Sequence, residues 1–293
     1  MTPTPASVHN SPTMSTESST SANLPIGVFD SGVGGLTVLR ALRKALPAED
    51  FLYLGDTARL PYGTKSGATV ARYALQTTRV LVDIGVKMLV VACNTASSVA
   101  MPGLAEAYPG LPVTGVIEPG AAAACECAPR GRIAVIATGG TVRGAAYQAA
   151  ILRRRPEATI ATRPAQLFVS LAEEGWTDGQ VVTDIARRYL DPLMAEFPEG
   201  GPDCLVLGCT HFPVLAGAIQ AVLPGGVCLI DSAETTARWV AEELAARNLL
   251  RANGNGTGTV RFFATDDPER FAKVGEIFLG EPLKPSDVAL VDL

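Results

Sequence analysis

Cys93 and Cys209 stand in matching surroundings. Met88-Leu-Val-Val-Ala-Cys93-Asn-Thr and Cys204-Leu-Val-Leu-Gly-Cys209-Thr-His each carry a short apolar segment into a small residue, a cysteine and two polar residues. Such a segment suits a strand buried on both faces. It leaves each thiol at the carboxyl end of its strand, where open α/β sheets bind ligands. Two thiols facing one cleft could take a proton from a carbon and return it from the opposite side. A lone cysteine at a strand end is ordinarily a small core residue, and Cys125, Cys127, Cys204 and Cys228 read that way. The repeated context sets Cys93 and Cys209 apart from them.

Other polar groups gather at equivalent points. His211, the one histidine beyond residue 23, lies two residues past Cys209, where it could exchange a proton with the thiol or stabilise a thiolate. Asp30-Ser-Gly-Val-Gly-Gly35 leads from a strand into a helix. Its glycines could let backbone N–H groups approach a carboxylate or phosphate, although Asp30 could equally be a helix cap. The loop lacks the lysine of a phosphate cradle and the spacing of a dinucleotide fingerprint. Thr138 and Thr141 bracket two glycines at the corresponding point of the second half, where they could hold another carboxylate or simply cap a helix. Cys and His do not occur at zinc spacings. None of the five lysines (Lys44, Lys65, Lys87, Lys273, Lys284) sits at a strand end to host a pyridoxal Schiff base.

These groups require a scaffold of alternating strands and helices. Ile26–Phe29, Phe51–Leu54, the Cys93 strand, a strand from Pro112 to Ile117, Ile133–Ile136, the Cys209 strand, Val227–Asp231 and a last strand, Arg261–Thr265, alternate with helical stretches. Gly34 to Leu46 places Leu36, Leu39, Leu42 and Leu46 on one face and Arg40, Arg43 and Lys44 on the other. Thr69 to Ile84, a helix opening at Thr95, and Asp267 to Leu279 are further helices, and Asn253 to Gly258 is a loop. The pattern restarts: position 26 matches 133, 93 matches 209 and 113 matches 227, in the same order and at nearly constant offsets. That order predicts an internal duplication. The expected fold is therefore α/β, with two similar domains of mostly parallel sheets related by a pseudo-twofold and the site in the cleft between them. The boundaries fall at 24–117 with 232–293 for the first domain and 118–231 for the second.

Composition bounds the function. The 293 residues are 47% hydrophobic and 18% charged, enough for a large core. A net charge of −5 without a basic stripe argues against nucleic acid, and no apolar run is long enough for a membrane span. Six cysteines in a chain of this length fit reduced thiols in a cytosol. Residues 1–23, eleven of them Ser or Thr, read as a disordered tail with no features of a secretory signal.

Five ordered motifs carry a resemblance: Gly-Val-Phe-Asp30-Ser31-Gly-Val-Gly-Gly-Leu, Gly-Asp-Thr-Ala-Arg-Leu-Pro-Tyr62-Gly63, Ala-Cys93-Asn94-Thr95-Ala-Ser, Gly-Val-Ile-Glu-Pro-Gly and Leu-Gly-Cys209-Thr210-His211-Phe-Pro. From Leu24 to about Gly280 the chain resembles the glutamate racemases, cofactor-independent members of the aspartate/glutamate racemase superfamily. The resemblance implies interconversion of L- and D-glutamate, with D-glutamate feeding peptidoglycan synthesis, by a cytoplasmic homodimer that needs no cofactor or metal. It implies Cys93 and Cys209 as the acid/base thiols, Asp30 and His211 as their assistants, and Glu173 as a carboxylate near the second thiol. Ser31, Tyr62, Gly63, Asn94, Thr95, Thr138, Thr141 and Thr210 resemble substrate contacts, as do Asp30 and His211. Around Glu173 the chain departs from the family pattern at Pro164-Ala-Gln166 and Ser170, and Gly144 replaces a usual serine. Three other readings compete, the first a near rival for aspartate or another acidic amino acid and the other two of different kinds. An aspartate racemase would open on a different glycine-rich motif, a cysteine hydrolase or decarboxylase would need one activated thiol, and a two-lobed binding protein would need none.

Overall fold

The computed structural model describes residues 21–198, 200–252 and 257–293. Among the described residues, ten parallel strands form two sheets. The first sheet contains β1 (Ile26–Asp30), β2 (Phe51–Gly55), β3 (Met88–Val91), β4 (Val113–Gly115), β9 (Val260–Ala264) and β10 (Val288–Leu290), in the order β10-β9-β2-β1-β3-β4. The second contains β5 (Arg132–Ala137), β6 (Thr159–Pro164), β7 (Cys204–Gly208) and β8 (Cys228–Asp231), in the order β6-β5-β7-β8. Four strands of the first sheet, β2-β1-β3-β4, thus repeat the whole order of the second. Each sheet is the base of one lobe. β1, β3 and β7 are buried along their whole length, which is why they read as unbroken apolar runs.

The register of these strands fixes the site. Asp30 lies opposite Gly55 at the end of β1, and Cys93 lies two residues past the end of β3, the strand paired with β1 on its other side. In the second lobe Ala137 pairs with Gly208, which brings Thr138 and Cys209 to the same sheet edge.

Several local expectations change. The strand expected over Pro112–Ile117 ends at Gly115, and Ile117 opens the helix Ile117–Cys127. There the Val116 N–H donates to Ser97 Oγ (3.3 Å), drawing the chain out of the sheet, and Pro119 is tolerated in the helix's first turn. The strand at Arg261–Thr265 is not the last, because β10 adds a three-residue edge beside it. The cysteines are not all reduced: Cys127 and Cys228 form a disulfide that ties the end of the Ile117–Cys127 helix to the start of β8. Residues 1–20 of the expected tail and 253–256 of the expected loop lie outside the described residues. Residues 22 and 23 of the expected tail are tied to the fold: the Ala22 carbonyl accepts from Lys87 Nζ (2.6 Å) and the Asn23 carbonyl from Arg251 (2.8 Å). Among the described residues, no helix is long and apolar enough to cross a membrane.

Candidate active site

Cys93 sits where β3 gives way to the helix Asn94–Ser97. Its Sγ accepts the Ala96 N–H (3.5 Å) and lies 3.4 Å from Ser31 Oγ. Burial, with the Asp30 carboxyl beside it, pushes the thiol up to about 12, against the pull of the contacts from Ser31 and Ala96. Cys93 therefore keeps its proton at neutral pH.

Cys209 is built differently. Its Sγ lies 3.8 Å from His211 Nδ1, and His211 Nε2 lies 3.1 Å from Glu173 Oε1. Burial alone would favour the neutral imidazole. The hydrogen bonds to Cys209 and Glu173 outweigh it and hold His211 at about 10, so the ring is charged at neutral pH. An imidazolium next to a sulfur stabilises negative charge on that sulfur. Glu173 is pushed up by burial but held below the usual carboxylate range by His211 and Arg270, whose guanidinium donates to Glu173 Oε2 (3.1 Å).

The two thiols line one cavity of about 30 Å³, together with Ser31, Tyr62, Gly63, Asn94, Thr95, Thr138, Thr210, His211 and Glu173. First-lobe and second-lobe residues thus share its wall. A space of this size holds about one water. A larger cavity of about 360 Å³ adjoins it and shares Leu60, Pro61, Gln166, Val169 and Glu173. Two residues expected at the site stand just behind the wall. Thr141 closes a hydroxyl cluster with Thr95 (3.3 Å) and Thr138 (3.1 Å), while Thr95 and Thr138 lie 2.9 Å apart. Asp30 is fully buried, with Oδ2 accepting the Gly32 N–H (2.9 Å) and Oδ1 without a partner. Tyr62 presents its body to the cavity, but its hydroxyl is committed to the Asp56 carboxylate.

Sequence reasoning missed several positions. Tyr147 lies in the second lobe, and its hydroxyl accepts from Asn94 Nδ2 (2.9 Å), leaving the buried Asn94 Oδ1 unpaired. Leu60 and Pro61 fall inside a motif already singled out, whereas Gln166, Val169 and Arg270 carry no local signal. Gly34 has a role other than anion approach. A Cβ there would sit 2.4 Å from His211 Nδ1 and 2.5 Å from Thr210 Oγ1, so the missing side chain makes room for the imidazole. Among the described residues, no group of three or more His, Cys, Asp or Glu side chains could hold a metal ion.

Asp30 supplies a test in which stability and activity move in opposite directions. Burial is the largest influence on it and raises its pKa, opposed by the His211 charge and the backbone N–H groups of Gly32, Gly35 and Ser31. A folded-state pKa above the unfolded value makes this group's contribution greatest at low pH and lost as pH rises through the folded value. The charged form of Asp30 therefore weakens the fold, because burial disfavours it. Asp30→Asn is expected to raise Tm, by about 2–4 °C for each kcal/mol recovered, while slowing turnover by about 10²–10⁴. Thermal unfolding and turnover measured on one sample check both signs. A lower Tm would show that the charge is needed for folding.

The comparisons with known proteins point the same way. Residues 26–240 match the family model described as Asp/Glu/Hydantoin racemase. The chain is 52% identical over 268 residues to a glutamate racemase of Geobacter metallireducens, covering 92% of this chain and 96% of that one. Its structure is similar to that of glutamate racemase from Thermus thermophilus in complex with β-chloro-D-alanine, with a TM-score of 0.82, 47% identity and coverage of 93% and 98%. It is similar also to the Francisella tularensis glutamate racemase in complex with D-glutamate, with a TM-score of 0.83, 37% identity and coverage of 92% and 98%.

Proposed function

The chain belongs to the glutamate racemases of the Asp/Glu/Hydantoin racemase family, and on that footing we propose that it interconverts L- and D-glutamate by passing the α-proton between Cys93 and Cys209. One observation carries the reading of mechanism: the two thiols end topologically equivalent strands, β3 and β7, and line the same cavity. A racemase must remove a proton from one face of a carbon and deliver one to the other, and two opposed groups do this without turning the substrate over. The unequal settings of the thiols suit opposite duties. Cys93 holds a proton to give, and the charged His211 ring, 3.8 Å from Cys209 Sγ, favours proton removal on that side. After one turnover the roles are exchanged, and the reverse reaction restores them.

The remaining residues fit the substrate's charges. Asp30 Oδ1 and Asn94 Oδ1 are buried acceptors without partners, which an α-ammonium can supply with donors. The Thr95, Thr138 and Thr141 hydroxyls, with Ser31 and Thr210 nearby, offer donors to carboxylates and to the charge that develops on deprotonation. The same reading divides the chain into lobes 24–117 with 232–293, and 118–231. It makes the enzyme a cytoplasmic homodimer whose D-glutamate serves peptidoglycan synthesis.

Chiral analysis of the purified protein incubated with L-glutamate, and separately with L-aspartate, tests the assignment. D-glutamate should accumulate toward an equal mixture, with aspartate turned over far more slowly. Turnover of aspartate alone would reassign the substrate.

A further inference from the structure

We propose that Arg270 is a positioning residue for the Cys209 side of the reaction, clamping Glu173 from the opposite lobe so that its carboxylate holds the His211 ring on Cys209 while the cleft is closed. This rests on the two-thiol reading above.

The geometry is a relay of four side chains. Arg270 donates to Glu173 Oε2 at 3.1 Å, Glu173 Oε1 meets His211 Nε2 at 3.1 Å, and His211 Nδ1 lies 3.8 Å from Cys209 Sγ. Each carboxylate oxygen has one partner, so the guanidinium sets the orientation in which the other oxygen meets the ring. Glu173 and His211 come from the second lobe. Arg270 comes from the helix Pro268–Leu279, which follows β9 of the first. The relay therefore forms only when the lobes meet, at a cavity whose wall combines Gln166, Ser170 and Glu173 with Asp266, Asp267 and Arg270.

Local helix energetics do not explain the two charges. Glu173 is the last residue of the helix Leu167–Glu173, where the macrodipole disfavours an anion. Arg270 lies in the first turn of its own helix, where a cation is disfavoured, and Asp267 caps that turn through the Arg270 backbone N–H (2.9 Å). Each charge stands at the wrong end of its helix, and each is offset by the other across the cleft. The helix Pro268–Leu279 also places the Phe278 ring edge-on to His211, with centroids 5.0 Å apart. One first-lobe helix thus holds the imidazole directly through Phe278 and indirectly through Arg270.

A surface ion pair with no further duty predicts little. Arg270 is 61% exposed, and such pairs typically change an equilibrium by less than about fivefold. Groups that orient a metal-bound histidine are typically worth about 10–100-fold, and the same scale is expected for an orienting partner of His211. The test uses the full chain with Arg270→Gln and Arg270→Lys and measures initial elimination rates from both enantiomers of β-chloroalanine, which require proton removal but no return. The Cys209-served enantiomer is defined independently as the one that Cys93→Ala still processes. Arg270→Gln should slow that enantiomer by about 10–100-fold and leave the other within about twofold, and Arg270→Lys should recover most of the loss. An equal effect on both enantiomers, or a loss below about fivefold on the Cys209-served one, overturns the proposal. If the cysteine variants themselves fail to select opposite enantiomers, the two-thiol reading falls instead.

Discussion

Replacing Cys93 or Cys209 by alanine is expected to abolish racemisation, each substitution alone slowing it by at least about 10³–10⁴. The reason is placement. The thiols end equivalent strands of two lobes and reach one cavity from different sheets. Neither can take over the other's face of the α-carbon without moving a strand. Their surroundings are also not interchangeable. Cys93 sits against Ser31 and the Ala96 N–H and is pushed up to about 12, while Cys209 faces a charged imidazole. The folds should survive, because losing a sulfur from a small cavity costs less than emptying an apolar core site. Racemisation followed by circular dichroism from each enantiomer, beside thermal unfolding, separates lost chemistry from lost fold. Substantial racemisation by either variant would return that cysteine to the core.

A single methyl group at Gly34 should be nearly as damaging. Its Cβ would lie 2.4 Å from His211 Nδ1, far inside van der Waals contact, so one of the two must shift. The Gly34 carbonyl accepts from Thr37 Oγ1 at 2.9 Å, and the same hydroxyl reaches the Thr210 carbonyl at 3.1 Å, which pins the two backbones together. The imidazole must swing, giving up Cys209, Glu173 or both. Gly34→Ala is expected to lower kcat by about 10²–10³, with an overpacking cost of about 1–3 kcal/mol in stability. Because the effect travels through His211, combining it with His211→Ala should add little further loss of kcat. Two fully independent losses in the double variant would show that Gly34 acts elsewhere.

The sequence disclosed what local chemistry dictates. Strands buried on both faces appear as apolar runs ending at small residues, so β1, β3, β5 and β7 and the thiols following two of them were legible. So was the duplication, which the shared strand order of the two sheets now expresses. Edge structure was harder. β10 spans three residues, two of them exposed, and Thr159–Pro164 mixes polar and apolar residues without alternation. The expected Pro112–Ile117 strand ran too long because Ile117 is apolar in either a strand or a helix. Contacts between lobes left no local trace. Asn94 with Tyr147, and Glu173 with Arg270, join distant segments, and nothing near Arg270 distinguishes it from other exposed arginines. Gly34 was noticed for the wrong reason, since a glycine that spares a neighbour's ring looks the same in sequence as one that admits an anion. The Cys127–Cys228 disulfide was missed because composition describes a whole chain and not the meeting of one helix end with one strand.

The central claim is that Cys93 and Cys209 serve opposite faces of the α-carbon, and the handedness of elimination by the single cysteine variants tests it most directly. β-Chloroalanine loses its α-proton to a thiol and its chloride to solvent, and the resulting enamine hydrolyses to pyruvate and ammonium without any proton return to the α-carbon. Each variant keeps one thiol and should therefore still form pyruvate from one enantiomer. Cys93→Ala and Cys209→Ala should choose opposite enantiomers. The same handedness in both variants, or elimination from both enantiomers by either one, would contradict the account.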